Sequence, residues 1–557
     1  MKRFLFAVAC VSALTLFSED ETVFYSCLGF NPDPYRIGED GKPVLSDNST
    51  ARHAYRHKLM WDAGIRVHST LIFSGWTGPD QYDYTETDRT LKLLFDAVPD
   101  MKYIPRIKLN APVPWLKAYP EEAFVYPKGP RDPAEVRELV GTAAQDYYGA
   151  GESSCLIANQ SFASERWATA AEEALRRLID HLKSSPYADR IVALHLAWGT
   201  CGETCHWGRQ WGNYGDFSSA FERAFRKWGG KGPVDPERDE YKRFMDHLNA
   251  SLIHRFGSVV KNGFGRQFPV GVFYGYMLEC SNAAYSGWLG FDEVLADEAV
   301  DFLAGPCSYE RRGAGDPGGW LGPAQSVNLR KKWFDEIDIR THLAAKGAYF
   351  PPCRTPKETK AVLAREMCKN LAADANYWWM DLSGGWYDSA EMVEIVRELE
   401  ALSRKIRSRR HESAADVLLL VDEDALRTRK LDDPAFGRVL DSIREMHLSG
   451  MLIDIYRVKD LPRLDQRRYR RIVSFDRPDA RYPKSVRAYD RNGKLPDCRG
   501  WRADFEAAGC KAYADVPAAV YGDNRFVAVF PKDRPDEFSL RETGKLFYPA
   551  REAVPRP

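Results

Sequence analysis

The stretch IVALHLAWGTCGETCHWG at residues 191–208 indicates the fold of this chain most clearly. Its first eight residues are mostly aliphatic, too few for an average helix, and followed by a glycine-containing polar loop. They therefore predict a buried strand. An amphipathic stretch at 165–183 precedes this strand, and another follows at 238–255. This alternation of strand and helix is typical of βα units around a parallel sheet.

Seven other short apolar runs have the same character. The eight predicted strands lie at 22–29, 65–73, 102–109, 191–198, 269–276, 300–305, 332–339 and 376–382. Helical stretches separate them, and the one at 356–373 follows Thr355, a typical N-cap residue. Eight parallel strands in succession predict an α/β fold, namely a (β/α)8 TIM barrel with long loops at the carboxyl ends of its strands.

Composition excludes several classes of protein. The 557 residues include 79 basic and 79 acidic side chains, and 44% are hydrophobic. A disordered chain combines low hydrophobicity with high net charge, and a nucleic-acid-binding domain carries a basic excess. No G-x-x-x-x-G-K-[ST] motif and no G-x-G-x-x-G directly after a strand is present, so nucleotide binding has no support. No cofactor is expected. Beyond the N-terminus no apolar run of about 18 residues occurs, so no membrane span is expected.

The N-terminus has the pattern of a secretory signal. Met1-Lys2-Arg3 is followed by an apolar stretch from Phe4 to Phe17, which is too short to span a bilayer. We therefore predict a signal peptide at 1–18 and export to the periplasm or the extracellular space. The alternative is a buried N-terminal strand or helix.

The chain is predicted to contain one large and two smaller parts after this signal. A basic run at 404–410 ends the last barrel helix, and ADVLLLVD at 415–422 begins a new strand. The predicted parts are the catalytic barrel at 19–412, a small α/β domain at 413–476 and a β-rich remnant at 477–557.

Two carboxylates lie at predicted strand ends. Glu203 follows the fourth strand and Glu336 lies in the seventh, so both face the same mouth of a barrel. Retaining glycosidases use such a pair, about 5–5.5 Å apart: one carboxyl group protonates the leaving oxygen and the other attacks the anomeric carbon. A surface position is the alternative for any single glutamate. Asp338 is the rival nucleophile, because strand alternation places it on the face of Glu336 and Asp335 on the other.

Aromatic residues surround these predicted strand ends. The chain has 15 tryptophans, and sugar rings stack well on such side chains. Trp76 and Trp386 lie beside glycine in loops, which favours binding, whereas Trp378 lies inside a strand, where core packing is the alternative. His195, inside the fourth strand, is more readily explained as a core histidine.

These segments resemble the clan of (β/α)8 retaining glycosidases that includes the glycoside hydrolase family 42 β-galactosidases. The similar blocks are GWTGPDQYDY at 75–84, PRIKL at 105–109, the segment around Glu203, FYGY at 273–276, VDFLAGP at 300–306, the segment around Glu336 and WWMDL at 378–382. The resemblance covers about residues 22–475. It implies an exo-acting β-galactosidase with Glu203 as acid/base and Glu336 as nucleophile, and a homotrimer formed through the small α/β domain.

The resemblance has one departure that bears on substrate. The clan places Asn before the acid/base to bind the sugar 2-hydroxyl, and this chain has Gly202 there, so Asn110 or His206 would make that contact. The alternatives are a β-mannosidase or other β-hexosidase, a non-catalytic carbohydrate-binding barrel, and a metal-dependent hydrolase using Cys201, Cys205 and His206. No metal is predicted, because these three residues lack a second close pair of ligands. The predicted substrate-binding residues are Trp76, Arg106, Asn110, His206, Tyr274, Tyr276, Trp378 and Trp386, with Asp338 and Arg340 supporting Glu336.

Overall fold

The computed structural model describes residues 22–26, 35–37, 43–45, 50–127, 132–139, 159–199, 202–205, 215–280, 282–344, 350–382, 384–542 and 545–548. Within these residues, eight parallel strands close into a barrel. They are β1 (Val23–Ser26), β2 (Val67–Phe73), β3 (Lys102–Lys108), β4 (Leu194–Ala197), β5 (Val270–Phe273), β6 (Phe302–Pro306), β7 (Lys332–Ile337) and β8 (Asn376–Asp381). Each coincides with a predicted run to within a few residues, so the predicted (β/α)8 barrel is confirmed. The predicted signal peptide lies outside the described residues.

Helices connect successive strands on the outside of the barrel. They are α1 (Thr50–Asp62), α2 (Thr85–Ala97), α3 (Glu165–Ser184), α4 (Asp239–Phe264), α5 (Phe291–Ala296), α6 (Ala324–Asn328), α7 (Pro356–Ala372) and α8 (Ala390–Arg407). The start of α7 is as predicted, because the Thr355 hydroxyl accepts a hydrogen bond from the Glu358 backbone N–H at 3.1 Å. Such caps satisfy backbone donors that lack a partner within the helix.

The register of the barrel brings distant residues to the same level. Arg106 of β3 is paired with His195 of β4, and Glu336 of β7 is paired with Trp378 of β8. The interior at this level is aromatic: the His195 ring lies near the rings of Phe273, Phe302 and Trp378. The barrel is therefore filled by side chains, as in other barrels of eight strands, and Arg106 is held inside it.

The chain after the barrel forms two further sheets. The first is parallel and contains β9 (Val417–Val421), β10 (Ile453–Arg457), β11 (Arg471–Ser474) and β12 (Val486–Ala488), in the order β10-β9-β11-β12. It is accompanied by α9 (Glu423–Arg427), α10 (Pro434–His447) and α11 (Cys498–Ala507). Because β12 pairs with β11, this sheet continues past residue 476, where the small α/β domain was expected to end.

The second sheet is antiparallel and lies within the segment predicted to be β-rich. Its strands are β13 (Ala518–Gly522), β14 (Phe526–Pro531), β15 (Ser539–Glu542) and β16 (Lys545–Tyr548). Side chains of β13 and β14 share a hydrophobic cluster with α7, which attaches this sheet to the barrel. Among the described residues, no helix is both long and apolar enough to cross a lipid bilayer.

Candidate active site

Glu336 is held at the end of β7 by two donors. Its Oε2 accepts hydrogen bonds from Trp378 Nε1 at 3.0 Å and from Arg106 Nη2 at 3.2 Å. The carboxyl group is buried, and burial raises its pKa. The nearby carboxylate of Asp338 raises that pKa further, whereas Arg106 and Trp378 lower it. The net result is a raised pKa, and the two donors limit this rise by favouring the ionised form.

Arg106 is in turn oriented by His195. Its Nε donates a hydrogen bond to His195 Nδ1 at 2.9 Å, and its guanidinium lies 3.9 Å from the centre of the Tyr25 ring and 4.4 Å from that of Phe273. Burial lowers the pKa of His195, as does Arg106, so the imidazole is neutral and accepts the bond at Nδ1. His195 lies inside the barrel, as the core explanation predicted, but it also positions the arginine that holds Glu336.

A tight turn after β4 places Glu203. The Gly199 N–H donates to the Glu203 carbonyl at 2.8 Å, and a Cβ on Gly199 would lie 2.3 Å from that oxygen. Gly202, with φ +78°, adopts the left-handed conformation that glycine tolerates best. The Thr204 hydroxyl anchors the turn, because it donates to the Phe273 carbonyl at 3.0 Å and accepts from Trp288 Nε1 at 2.9 Å.

The Tyr276 phenol lies near both candidate catalytic residues. Its hydroxyl donates to Glu203 Oε1 at 3.4 Å. Burial raises the pKa of Tyr276, and the charges of both Glu203 and Glu336 raise it further. The Cys205 thiol, which forms no disulfide, lies 4.0 Å from Glu203 Oε2. The charges of two buried carboxyl groups therefore act on one protonated phenol, which is hydrogen-bonded to Glu203.

Tyr274, a predicted substrate-binding residue, has its described side-chain contacts at the start of α5 and none with Glu203 or Glu336. Its hydroxyl accepts a hydrogen bond from the Gly290 N–H at 2.9 Å, and its ring packs against Phe291 of α5. Regular strand alternation would place Tyr274 and Tyr276 on one face. However, β5 ends at Phe273, and Gly275 has φ +93°, so the alternation does not continue between the two tyrosines.

Asp338 is occupied by two arginines. Its Oδ1 accepts from Arg340 Nη1 at 2.6 Å, and its Oδ2 accepts from Arg312 Nη1 at 2.7 Å. Burial raises the pKa of Asp338, but the two guanidinium groups lower it more, and the net result is a lowered pKa. Asp335 lies on the opposite face, as alternation predicted, where it is paired with Lys369 of α7 at 3.0 Å. Asp338 is thus a charge partner and is poorly placed to act as the nucleophile.

The remaining predicted binding residues have unlike surroundings. Asn110 Nδ2 donates to the Gly199 carbonyl at 3.4 Å, and its buried Oδ1 accepts no hydrogen bond from the described residues. Trp76 donates to the Gly78 carbonyl at 2.9 Å and packs edge-on against Trp115. The Trp386 ring is 1% exposed and lies 4.8 Å from the Arg340 guanidinium, so it packs on that arginine and offers no open stacking face.

His206 and Cys201 lie outside the described residues. Of the three residues considered as metal ligands, the structure therefore describes only Cys205. Elsewhere in the described part of the chain, no three His, Cys, Asp or Glu side chains lie together in a way that would hold a metal ion.

Two residues near the site were not singled out from the sequence. Tyr309 follows β6, and the charges of Glu203 and Asp338 raise its pKa after burial has already done so. Arg312 follows three residues later and binds Asp338. Both belong to a loop at the carboxyl end of a strand, and that position is the feature of the sequence that could have indicated them. Which side chains of such a loop point toward the site depends on the backbone conformation of the loop, which the sequence pattern does not give.

The fold is similar to those of two solved β-galactosidases. The β-galactosidase from the psychrophilic Marinomonas ef1 is 10% identical to this chain, covers 92% of it and 95% of its own length, and superposes with a TM-score of 0.59. The β-galactosidase from Rahnella sp. R3 is 14% identical, covers 82% and 68%, and has a TM-score of 0.50. No protein-family model and no curated protein matches the sequence. The similarity thus concerns the fold alone, over most of the chain.

Proposed function

We propose that this chain is a retaining glycoside hydrolase that releases a terminal β-galactosyl unit, with Glu336 as the nucleophile and Glu203 as the acid/base. The observation that carries the proposal is that Glu203 and Glu336 are both buried at the carboxyl ends of barrel strands, with Glu203 bound by the Tyr276 phenol and Glu336 near enough for its charge to raise the pKa of that phenol. Unlike surroundings suit unlike roles, because one group must be ionised and the other protonated when substrate binds. The similarity in fold to β-galactosidases supports the choice of sugar.

In the first step, Glu336 attacks the anomeric carbon. Arg106 and Trp378 both bind Oε2, so Oε1 is the oxygen available for the new C–O bond. The bond from the anomeric carbon to the leaving oxygen breaks as Glu203 transfers its proton to that oxygen. The product is a covalent glycosyl-enzyme with the free alcohol beside an ionised Glu203.

In the second step, Glu203 removes a proton from water, and the water oxygen attacks the anomeric carbon. The bond to Glu336 breaks, and its carboxylate regains its negative charge. Forming the glycosyl-enzyme has removed the charge of Glu336, which favours the ionised form of Glu203 needed here. Two inversions give net retention at the anomeric carbon.

Gly202 supports a second candidate, a barrel that binds carbohydrate without cleaving it. The residue replaces the asparagine that the related enzymes use for the sugar 2-hydroxyl. Asn110 lies beside the same turn with an amide oxygen that accepts no hydrogen bond from the described residues, which supports it as the replacement in an active enzyme. Export of the protein and a homotrimer are part of the proposal on the strength of the N-terminal sequence and of the small α/β domain.

Azide rescue of two alanine variants tests the assignment. We expect Glu336→Ala and Glu203→Ala each to lose at least about 10³-fold in kcat on para-nitrophenyl β-galactoside. Azide should replace the nucleophile in Glu336→Ala and give the α-glycosyl azide by one inversion. In Glu203→Ala it should replace water and give the β-glycosyl azide. Product anomers are read by NMR.

Glu293→Gln, on the surface of α5, serves as the control and should behave as the wild type. Undiminished hydrolysis by Glu336→Ala would contradict the nucleophile assignment. Sugar binding by a wild type that cleaves no glycoside would favour the non-catalytic candidate.

A further inference from the structure

One edge of the Arg340 guanidinium has no hydrogen-bond partner among the described residues. The hydrogen bonds that Arg340 makes with these residues all come from Nη1, to Oδ1 of Asp338 at 2.6 Å and to its carbonyl at 3.5 Å. Its Nε is buried and donates to no described residue. Arg340 is itself only 4% exposed. A buried N–H without an acceptor is unfavourable, so this arrangement suits a site that acquires its acceptor from a ligand.

Aromatic rings limit how that ligand can approach. The Phe350 ring centre lies 5.0 Å from the Arg340 guanidinium, and the Trp386 ring centre lies 4.8 Å from it. Because Nη1 of Arg340 binds Asp338, the edge of the guanidinium formed by Nε and Nη2 is the one that a ligand could bind. Two parallel N–H groups on such an edge match the two oxygens of a carboxylate or a sulfate.

The local charge also favours an anion. Arg312 and Arg340 share the single carboxylate of Asp338, which leaves one positive charge in excess within this group. Arg312 satisfies its own donors on Asp338 and on the Ser308 and Cys307 carbonyls, so its charge is fixed in place. A desolvated positive charge next to a free donor edge attracts an anionic group more strongly than a neutral hydroxyl.

This group of residues adjoins the proposed catalytic residues. The Asp338 N–H donates to the Glu336 carbonyl at 2.8 Å, two residues away along the chain. The charges of both Glu203 and Asp338 raise the pKa of the Tyr309 phenol, so both carboxyl groups are within electrostatic range of this residue. Arg340 thus lies four positions beyond Glu336 in the chain and binds the aspartate whose backbone contacts Glu336.

We propose that Arg340 binds an anionic substituent of the substrate, a sugar carboxylate or a sulfate ester, so that the preferred substrate is an acidic β-glycoside. The inference rests on the proposed glycosidase function and makes its substrate class more specific. It assigns Arg340 as a specificity-determining residue, with Asp338 and Arg312 holding it in position.

Paired substrates test the inference by turnover. Two acidic substrates, para-nitrophenyl β-galacturonide and the β-galactoside 6-sulfate, are compared with the neutral β-galactoside by their kcat/KM values. We expect wild type to prefer at least one acidic substrate by tenfold or more. The ratio of acidic to neutral kcat/KM should fall at least 30-fold in Arg340→Gln. Arg340→Lys keeps the charge but loses the paired donors, and should give an intermediate ratio.

Arg66→Gln is the matched control, because Arg66 is exposed and precedes β2, at the opposite end of the barrel. It should leave the ratio unchanged. A wild-type preference for the neutral substrate, or an equal fall on both substrates in Arg340→Gln, would overturn the inference. The galacturonide and sulfate arms show which anionic group is bound.

Binding to the Glu336→Gln variant separates this inference from the proposed function. Calorimetry should show methyl β-galacturonide or galactose 6-sulfate binding at least tenfold more tightly than methyl β-galactoside, and Arg340→Gln in the same background should abolish the difference. Anion-dependent binding by a wild type that hydrolyses none of the glycosides would reject the proposed function alone. Equal binding of acidic and neutral sugars would reject the anion site alone.

Discussion

Trp378 shows how a single side chain can serve both the core and the site. Its ring stacks against Phe334 at 5.6 Å inside the barrel, while its indole N–H reaches Glu336. The next residue, Trp379, faces the other way and donates to Glu400 of α8 at 2.8 Å. Alternation along β8 therefore assigns one tryptophan to the candidate nucleophile and the other to the outer helix layer.

Trp378→Phe is expected to move the acidic limb of the kcat/KM profile to higher pH. The substitution removes a hydrogen bond that lowers the pKa of Glu336, and the nucleophile must be ionised to react. We also expect kcat on the plateau to fall about tenfold. Trp379→Phe removes an indole N–H from the same strand and should leave the limb in place. Equal profiles for the two variants would contradict the role of Trp378.

Among the structural elements, the turn after β4 depends on a close approach of backbone to backbone. Gly199 lies against the carbonyl oxygens of Glu203 and Cys205, both 2.3 Å from the position a Cβ would take. Backbone atoms cannot move aside as a flexible side chain can. Glycine at 199 is therefore required for the position of Glu203, not for a special backbone angle.

Gly199→Ala should displace the turn and reduce kcat at least about 100-fold, with a fall in stability of about 1–3 kcal/mol. Gly437→Ala is the matched control for Gly199→Ala. Gly437 lies within α10 with nothing within 4 Å of an added Cβ, so alanine there should stabilise by about 0.5–1 kcal/mol without changing kcat. Activity assays and urea unfolding measure both. Wild-type activity in Gly199→Ala would show that the turn tolerates the added methyl group.

Across the molecule as a whole, the barrel and both later sheets meet around His447. This residue ends α10, and its ring lies 6.4 Å from that of Tyr521 in β13. Tyr521 donates to the Pro317 carbonyl of the barrel at 2.5 Å. Burial lowers the pKa of His447 to about 3, and the positive charges of Arg311 and Lys369 contribute. Protonation of His447 at low pH would therefore place a buried positive charge where these three parts meet.

His447→Gln should make stability less sensitive to acid. The pKa of His447 is lower in the folded than in the unfolded chain, so its contribution is complete above the ordinary value of 6.5 and is lost progressively as the pH falls toward 3. Between pH 6.5 and 5 the wild type should lose about 1.6 kcal/mol more of its unfolding free energy than the variant. Urea titrations at both pH values measure this. Replacing exposed His254 by Gln should not change the difference, and parallel losses in wild type and His447→Gln would refute the prediction.

The amino-acid sequence alone was enough to predict the eight strands, the barrel, the start of α7 and the strand-end positions of Glu203 and Glu336. These features depend on local periodicity and on the rule that parallel strands present their carboxyl ends at one mouth. The side of β7 on which Asp335 lies was also predicted correctly, because the strand is regular at that residue.

Which side chains meet became clear from the folded chain. Regular alternation would put Tyr274 and Tyr276 on one face, but the positive φ of Gly275 interrupts it, and Tyr276 is the one that contacts Glu203. The contact between Arg106 and His195 depends on the register of two strands that are separated by 89 positions in the chain. Alternation holds only while the strand is regular. Contacts across a barrel depend on its closure, which no single segment of sequence records.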